Sequence, residues 1–192
     1  MAGVLDAAGI TYGLMGGLAV RYLGGDRATR HVDIAFQAPG SMKQLREAVE
    51  VEPRFIVPST KKVSGIMRIF VHIGPGYDDC DESILVEVDL VQSLRGSPRE
   101  LAGNLMSLTV HTRSGPRQIN GVSLIYLLRG KMAAFSGREK GQDLDDVRSL
   151  ITGYSQETRV GIGRLNPMDV EVFLEKVPPQ SQARWRTFFG CS

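Results

Sequence analysis

The chain has 192 residues, 42% of them apolar and 23% charged, and a formal charge of +2 from 23 Lys and Arg against 21 Asp and Glu. That is the size of one domain, or of a domain with a small helical appendage, and it is long enough to bury a real core. The near-balanced charge gives no case for a nucleic-acid or membrane surface, and two cysteines, Cys80 and Cys191, without Cys-x-x-Cys spacing give none for a disulfide framework or structural zinc.

The N-terminal "MAGVLDAAGI" lacks the basic start and long apolar core of a signal peptide, and Val4 to Ala8 suggests a short helix ending at Gly9. No apolar run approaches membrane-spanning length, so the expectation is a cytoplasmic protein. "ITYGLM" reads as a short buried strand. Gly16-Gly17 then turns into a helix, "LAVRYL", that stops at Gly24-Gly25. "VDIAF" alternates, with Val32, Ile34 and Phe36 on one face and His31, Asp33 and Ala35 on the other.

Ser41 and Gln44 have capping-box spacing for the helix "MKQLREAVE". Three strand candidates follow, "RFIV", "IMRIFVHI" and "ILVEVDLV"; in the last, Glu87 and Asp89 share the face opposite Ile84, Val86, Val88 and Leu90. Residues 93 to 121 carry no clear pattern. Thereafter the period becomes helical: Ser123 as cap of "LIYLLRGKMAAF", then "QDLDDVRSLI", then a helix opened by Asn166-Pro167 with Val170, Phe173, Leu174 and Val177 as its stripe. Pro178-Pro179 ends it, and a last amphipathic piece carries Trp185, Phe188 and Phe189. The expected organisation is an α+β front half, residues 1–121, and a helical back half, 122–192, with the site between them.

Two features of the front half point to chemistry. A glycine pair at a strand-to-helix turn lets backbone amides approach an anion closely. Asp33 and Asp89, each in an otherwise apolar strand, are expensive to bury unless paired or holding a cation, and two such carboxylates suit a hard cation with oxygen ligands. Edge-strand carboxylates facing solvent are the plain alternative. His72 and His111 are isolated, and no P-loop, His-Glu-x-x-His or Gly-x-Ser-x-Gly pattern is present.

Gly16-Gly17, then Arg27-x-Thr29-x-His31-Val32-Asp33, then "VEVDLV" with Asp89, resembles the nucleotidyltransferase-fold superfamily. Within it, the chain looks closest to the small branch holding aminoglycoside- and lincosamide-modifying enzymes and AbiEii/MenT-type toxins. Lys131, Arg138, Lys140 and Asp143 in the helical half match that pattern in order, so the resemblance spans about residues 10 to 152. It implies an α+β mixed sheet with flanking helices and a C-terminal helical subdomain. It also implies Mg²⁺ or Mn²⁺ on Asp33 and Asp89, and an NTP whose phosphates lie by Gly16, Gly17 and Lys131. The reaction implied is nucleotidyl transfer to a hydroxyl of a small molecule or RNA. Lys131 reads equally as a solvated helical lysine; Arg27 and Thr29 read as braces of the loop, and Arg138 as a partner of Asp143 or Asp146.

His31 departs from the pattern. It stands where the first carboxylate belongs, and a neutral imidazole brings one nitrogen and no negative charge. Two further readings follow: a protein that binds a ligand or partner without transfer, and a pocket in which His31 and Asp33 form an acid/base pair for metal-independent chemistry on a small molecule.

Overall fold

The computed structural model describes residues 1–37, 41–59, 65–78, 81–93, 98–112 and 115–191. Helix α1 (Ala2–Ala7) leads into β1 (Thr11–Met15), α2 (Gly16–Tyr22), β2 (His31–Gln37) and α3 (Ser41–Glu50). Strands β3 (Phe55–Ile56), β4 (Ile66–Ile73), β5 (Ile84–Gln92), β6 (Leu105–Thr112) and β7 (Gly115–Val122) complete one seven-stranded mixed sheet in the order β3-β4-β5-β2-β1-β7-β6. The rest is helical: α4 (Leu124–Arg138), α5 (Gly141–Gly153), α6 (Ser155–Gly161), a 3₁₀ turn at Ile162–Arg164, α7 (Pro167–Lys176) and α8 (Pro179–Phe189).

The centre of the sheet is the parallel pair β2 and β5, flanked by antiparallel β1 and β4. Ile34, Ala35 and Phe36 are all buried, as are Val88, Leu90 and Val91. The expected alternation in β2 therefore holds only at its start. His31 and Asp33 lie at the open end of the strand, while Ala35, on the same side, is already under the covering layer. Strands covered on both faces read as continuous apolar runs rather than alternating ones.

The hairpin β6–β7 fills the stretch that carried no clear pattern. Its second strand, "GPRQINGV", has two glycines, a proline and mostly exposed polar side chains, so it carries little strand signal. Gly121 in it pairs with Leu14 of β1, and a side chain there would overlap Leu108. The bare Gly121 backbone therefore seats the Leu108 side chain, which a larger residue would force to move.

The cap expectations divide. Asn166 Oδ1 accepts from the Met168 amide at 2.9 Å with Pro167 in the first helical turn, as its position predicts. Ser123 stands at the cap of α4, but its hydroxyl makes no cap hydrogen bond and is buried without a partner among the described residues. The Ser41 side chain, and with it the expected capping box, lies outside the described residues; Gln44 Nε2 donates to the carbonyl of Ala8 at 3.1 Å, tying α3 to α1.

One apolar cluster runs from Leu5 through Phe36 and Leu90 to Phe135, Phe173 and Phe189, so sheet and helices share a core. Phe173 of α7 meets Phe135 of α4, Trp185 and Phe189 of α8 edge-on at 5.5–6.0 Å, which places the C-terminal aromatics in packing. Cys191 is a free thiol; Cys80 lies outside the described residues. Among the described residues no helix is long and apolar enough to cross a membrane.

Candidate functional site

The register of four strands assembles one polar row on a face of the sheet. Asp33 of β2 lies beside Asp89 of β5 on one side and Met15 of β1 on the other; His31 lies beside Glu87, and Asp89 beside Arg68 of β4. Residues directly opposite on neighbouring strands share a face. The two aspartates singled out in the sequence are thus adjacent, at the end of β1 where the glycine turn begins. His31 Nε2 stands 3.4 Å from Asp33 Oδ2.

The glycine turn is explained by what fills its empty side-chain positions. Gly16 has φ +69°, a conformation costly to other residues, and a methyl group on it would overlap the Asp33 carboxylate. A methyl group on Gly17 would overlap the Arg27 guanidinium. Each bare backbone therefore admits one functional side chain to close range.

Burial pushes the Asp33 carboxyl above the usual aspartate range. His31 acts against that rise, Asp89 adds to it, and Lys131 and Arg138 act against it in turn. Burial outweighs the nearby cations, so the charged form of this carboxyl is disfavoured in the folded protein.

Opposite the sheet, α4 and α5 carry a buried ion network. Asp143 and Asp146 sit three apart on the inner face of α5, at 0% and 3% exposure. Asp146 accepts from Arg27 Nε at 3.0 Å through both oxygens and from Lys131 Nζ at 2.6 Å. Asp143 accepts from Arg138 Nε at 2.7 Å and Nη2 at 2.8 Å, a two-pronged pair. That hydrogen bonding holds the Arg138 pKa above its ordinary value. Lys131 is therefore not the solvated helical lysine its sequence position also allows: it is 5% exposed and anchored on Asp146, and it lines the cleft. Arg27 braces the loop onto α5, and Thr29 Oγ1 donates to the carbonyl of His31 at 3.0 Å.

Between the sheet end and these helices lies a cavity of about 330 Å³ that brings together Gly16, Gly17, His31, Asp33, Lys131 and Arg138. Asp89 is beside Asp33 but is not among the lining residues. Lys140, noted in the sequence only as part of the motif, lines the cavity too, as do Tyr126 and Gln142, which the sequence reading did not single out. Four cations, Arg27, Lys131, Arg138 and Lys140, face three carboxylates, Asp33, Asp143 and Asp146; Lys140 makes no ion pair among the described residues. The surplus favours an anion.

The sequence reading also missed Arg68. Its Nε and Nη2 donate to the two oxygens of Asp89 at 2.8 Å each, and Nη2 lies 3.1 Å from Glu87 Oε1. The hydrogen bond to Asp89 raises the Arg68 pKa. With His31 in place of a carboxylate and both Asp89 oxygens engaged, the residues as placed do not fit a two-cation centre. Among the described residues no cluster of three His, Cys, Asp or Glu side chains is arranged to hold a metal ion.

No protein-family model and no curated protein matches the chain. Solved structures do. A nucleotidyltransferase-like antigenic protein from Paracoccidioides brasiliensis superposes with a TM-score of 0.56 at 21% identity, over 90% of this chain and 88% of that one. JHP933 from Helicobacter pylori gives 0.52 at 16%, over 98% and 86%. ANT(2″)-Ia, solved with adenylyl-2″-tobramycin, gives 0.50 at 13%, over 96% and 92%. The chain has the α+β nucleotidyltransferase-like fold implied by the order of its motifs.

Proposed function

We propose that the cleft binds an NTP by its triphosphate, and that the protein transfers the nucleotidyl group to a hydroxyl of a small molecule or an RNA. The observation that carries this reading is the cavity in which the Gly16-Gly17 turn and Asp33 face Lys131 and Arg138. The acceptor oxygen attacks the α-phosphorus, the bond from that phosphorus to the bridging oxygen breaks, and pyrophosphate leaves. Asp33 takes the hydroxyl proton; a carboxyl raised toward working pH is the better base for that step. Lys131 and Arg138, held in place by Asp146 and Asp143, meet the charge that grows on the leaving phosphates. His31 orients the Asp33 carboxylate. Both Asp89 oxygens are taken by Arg68, so the proposed transfer relies on these side chains rather than on a divalent cation.

That same engagement favours a second reading, in which the cleft binds the nucleotide and no transfer follows. One experiment separates the two. Each of ATP, GTP, CTP and UTP is added during thermal unfolding, and pyrophosphate release is followed with hydroxyl acceptors such as aminoglycosides and a tRNA pool. The bound NTP is expected to stabilise the fold by about 2.7 kcal/mol at one hundred times its dissociation constant. Lys131→Met is expected to remove the shift. Pyrophosphate release supports transfer; stabilisation without release supports binding alone. No stabilisation by any NTP contradicts both, and leaves the His31–Asp33 pair as an acid/base site for another substrate.

A further inference from the structure

The polar row on the sheet places a permanent cation beside the paired carboxylates. Arg68 lies opposite Asp89 in the antiparallel β4–β5 register, and Asp89 lies opposite Asp33 in the parallel β5–β2 register. The guanidinium takes both Asp89 oxygens at 2.8 Å and reaches Glu87 at 3.1 Å. A planar guanidinium has five donors, so one arginine can hold two carboxylates and keep donors for a third anion. The Arg68 side chain is 52% exposed, against 15% for Asp89, so its remaining edge faces solvent while the carboxylate beneath it is largely covered. Two residues along β2 from Asp33, beside Glu87, His31 supplies a nitrogen where a carboxylate would attract a metal.

We propose that Arg68 is the resident cation of the carboxylate row that reaches this cleft at Asp33, neutralising Asp89 and Glu87 so that nucleotide binding in the cleft needs no divalent metal. The inference rests on the nucleotide reading above for its nucleotide part. Its metal part stands without it: with Arg68 in place the Asp33–Asp89 pair rejects a divalent ion, and with Arg68 gone it accepts one.

Two titrations test these parts separately, on wild-type protein, Arg68→Gln and Arg68→Lys. The first uses Mn²⁺ alone, by calorimetry. Wild type is expected to show no saturable binding and Arg68→Gln to gain one site. A saturable Mn²⁺ site of equal affinity in wild type and Arg68→Gln overturns the proposal. The second uses the four NTPs, in EDTA and in Mg²⁺. The wild-type dissociation constant in EDTA is expected to lie within about threefold of that in Mg²⁺, and Arg68→Gln to bind at least about tenfold more weakly in EDTA. Arg68→Lys keeps the charge without the fork, so it is expected to retain most of the EDTA affinity; it also serves as the folded control if Arg68→Gln proves unstable. Wild-type binding that appears only with metal overturns the proposal. Failure of every NTP in both conditions overturns the nucleotide reading, while the Mn²⁺ titration still decides the role of Arg68.

Discussion

Asp146→Ala is expected to lower the stability of the fold by about 3–5 kcal/mol, the range for breaking a buried ion pair from one side. Asp146 is 3% exposed and serves two cations, Arg27 at 3.0 Å and Lys131 at 2.6 Å. Removing it leaves the Lys131 ammonium buried, with Asp143 3.9 Å away and already paired with Arg138. It also releases the loop that Arg27 pins against α5. For a chain of this size each kcal/mol moves Tm by about 2–4 °C, so the fall should be roughly 6–20 °C. Lys131→Met offers the contrast. It removes the other end of the pair, but Asp146 keeps Arg27, and the methionine stem fills the same space; its loss should be clearly smaller. Thermal melts of the two variants check this. Equal losses would mean that Asp146 is not the anchor of the network.

Asp33→Asn is expected to divide activity from stability. As the proposed acceptor of the hydroxyl proton, Asp33 should carry about 10²–10⁴-fold of the transfer rate, the usual range for a positioned general base. Its effect on stability has the opposite sign. Burial raises the folded-state pKa of Asp33 above its reference value of 3.8. The folded protein therefore holds this proton more tightly than the unfolded chain. The stability so gained is present below pH 3.8 and is lost as pH rises through the raised value. At pH 7 the ionised carboxylate is a burden that the asparagine variant does not carry. Asp33→Asn should melt higher than the parent at pH 7, and the gap should close as the pH falls toward 3.8. Unchanged transfer would remove Asp33 from the reaction. A variant less stable than the parent at every pH would show that the carboxylate is held there by favourable contacts instead.

The parts of the site legible in the sequence are those whose signal is local. Gly16-Gly17 marks a turn because few residues accept that backbone, and Asp33 and Asp89 stand out because each interrupts an apolar strand. Arg138 reads in the sequence as a partner of Asp143 or Asp146, both close by in the chain, and the structure pairs it with Asp143. What stayed hidden depends on register and on packing between distant elements. Nothing in "IMRIFVHI" says that Arg68 faces Asp89; that is fixed only once β4 runs antiparallel to β5 with Ile73 opposite Ile84. Lys131 looks like any helical lysine until α5 packs on α4 and buries it on Asp146. The β6–β7 hairpin was unreadable because β7 seats the Leu108 side chain on the bare Gly121 and is otherwise mostly exposed and polar, without an alternating apolar face.

The proposed triphosphate site is the cleft between the sheet end and α4–α5. The direct measurement is a crystal structure of the protein with a non-hydrolysable analogue of the NTP that stabilises it most. The phosphates are predicted to lie against the Gly16-Gly17 turn, within hydrogen-bonding distance of Lys131 and Arg138 and beside Asp33. A nucleotide bound elsewhere on the molecule, or an intact cleft that holds none at saturating concentration, would contradict the account.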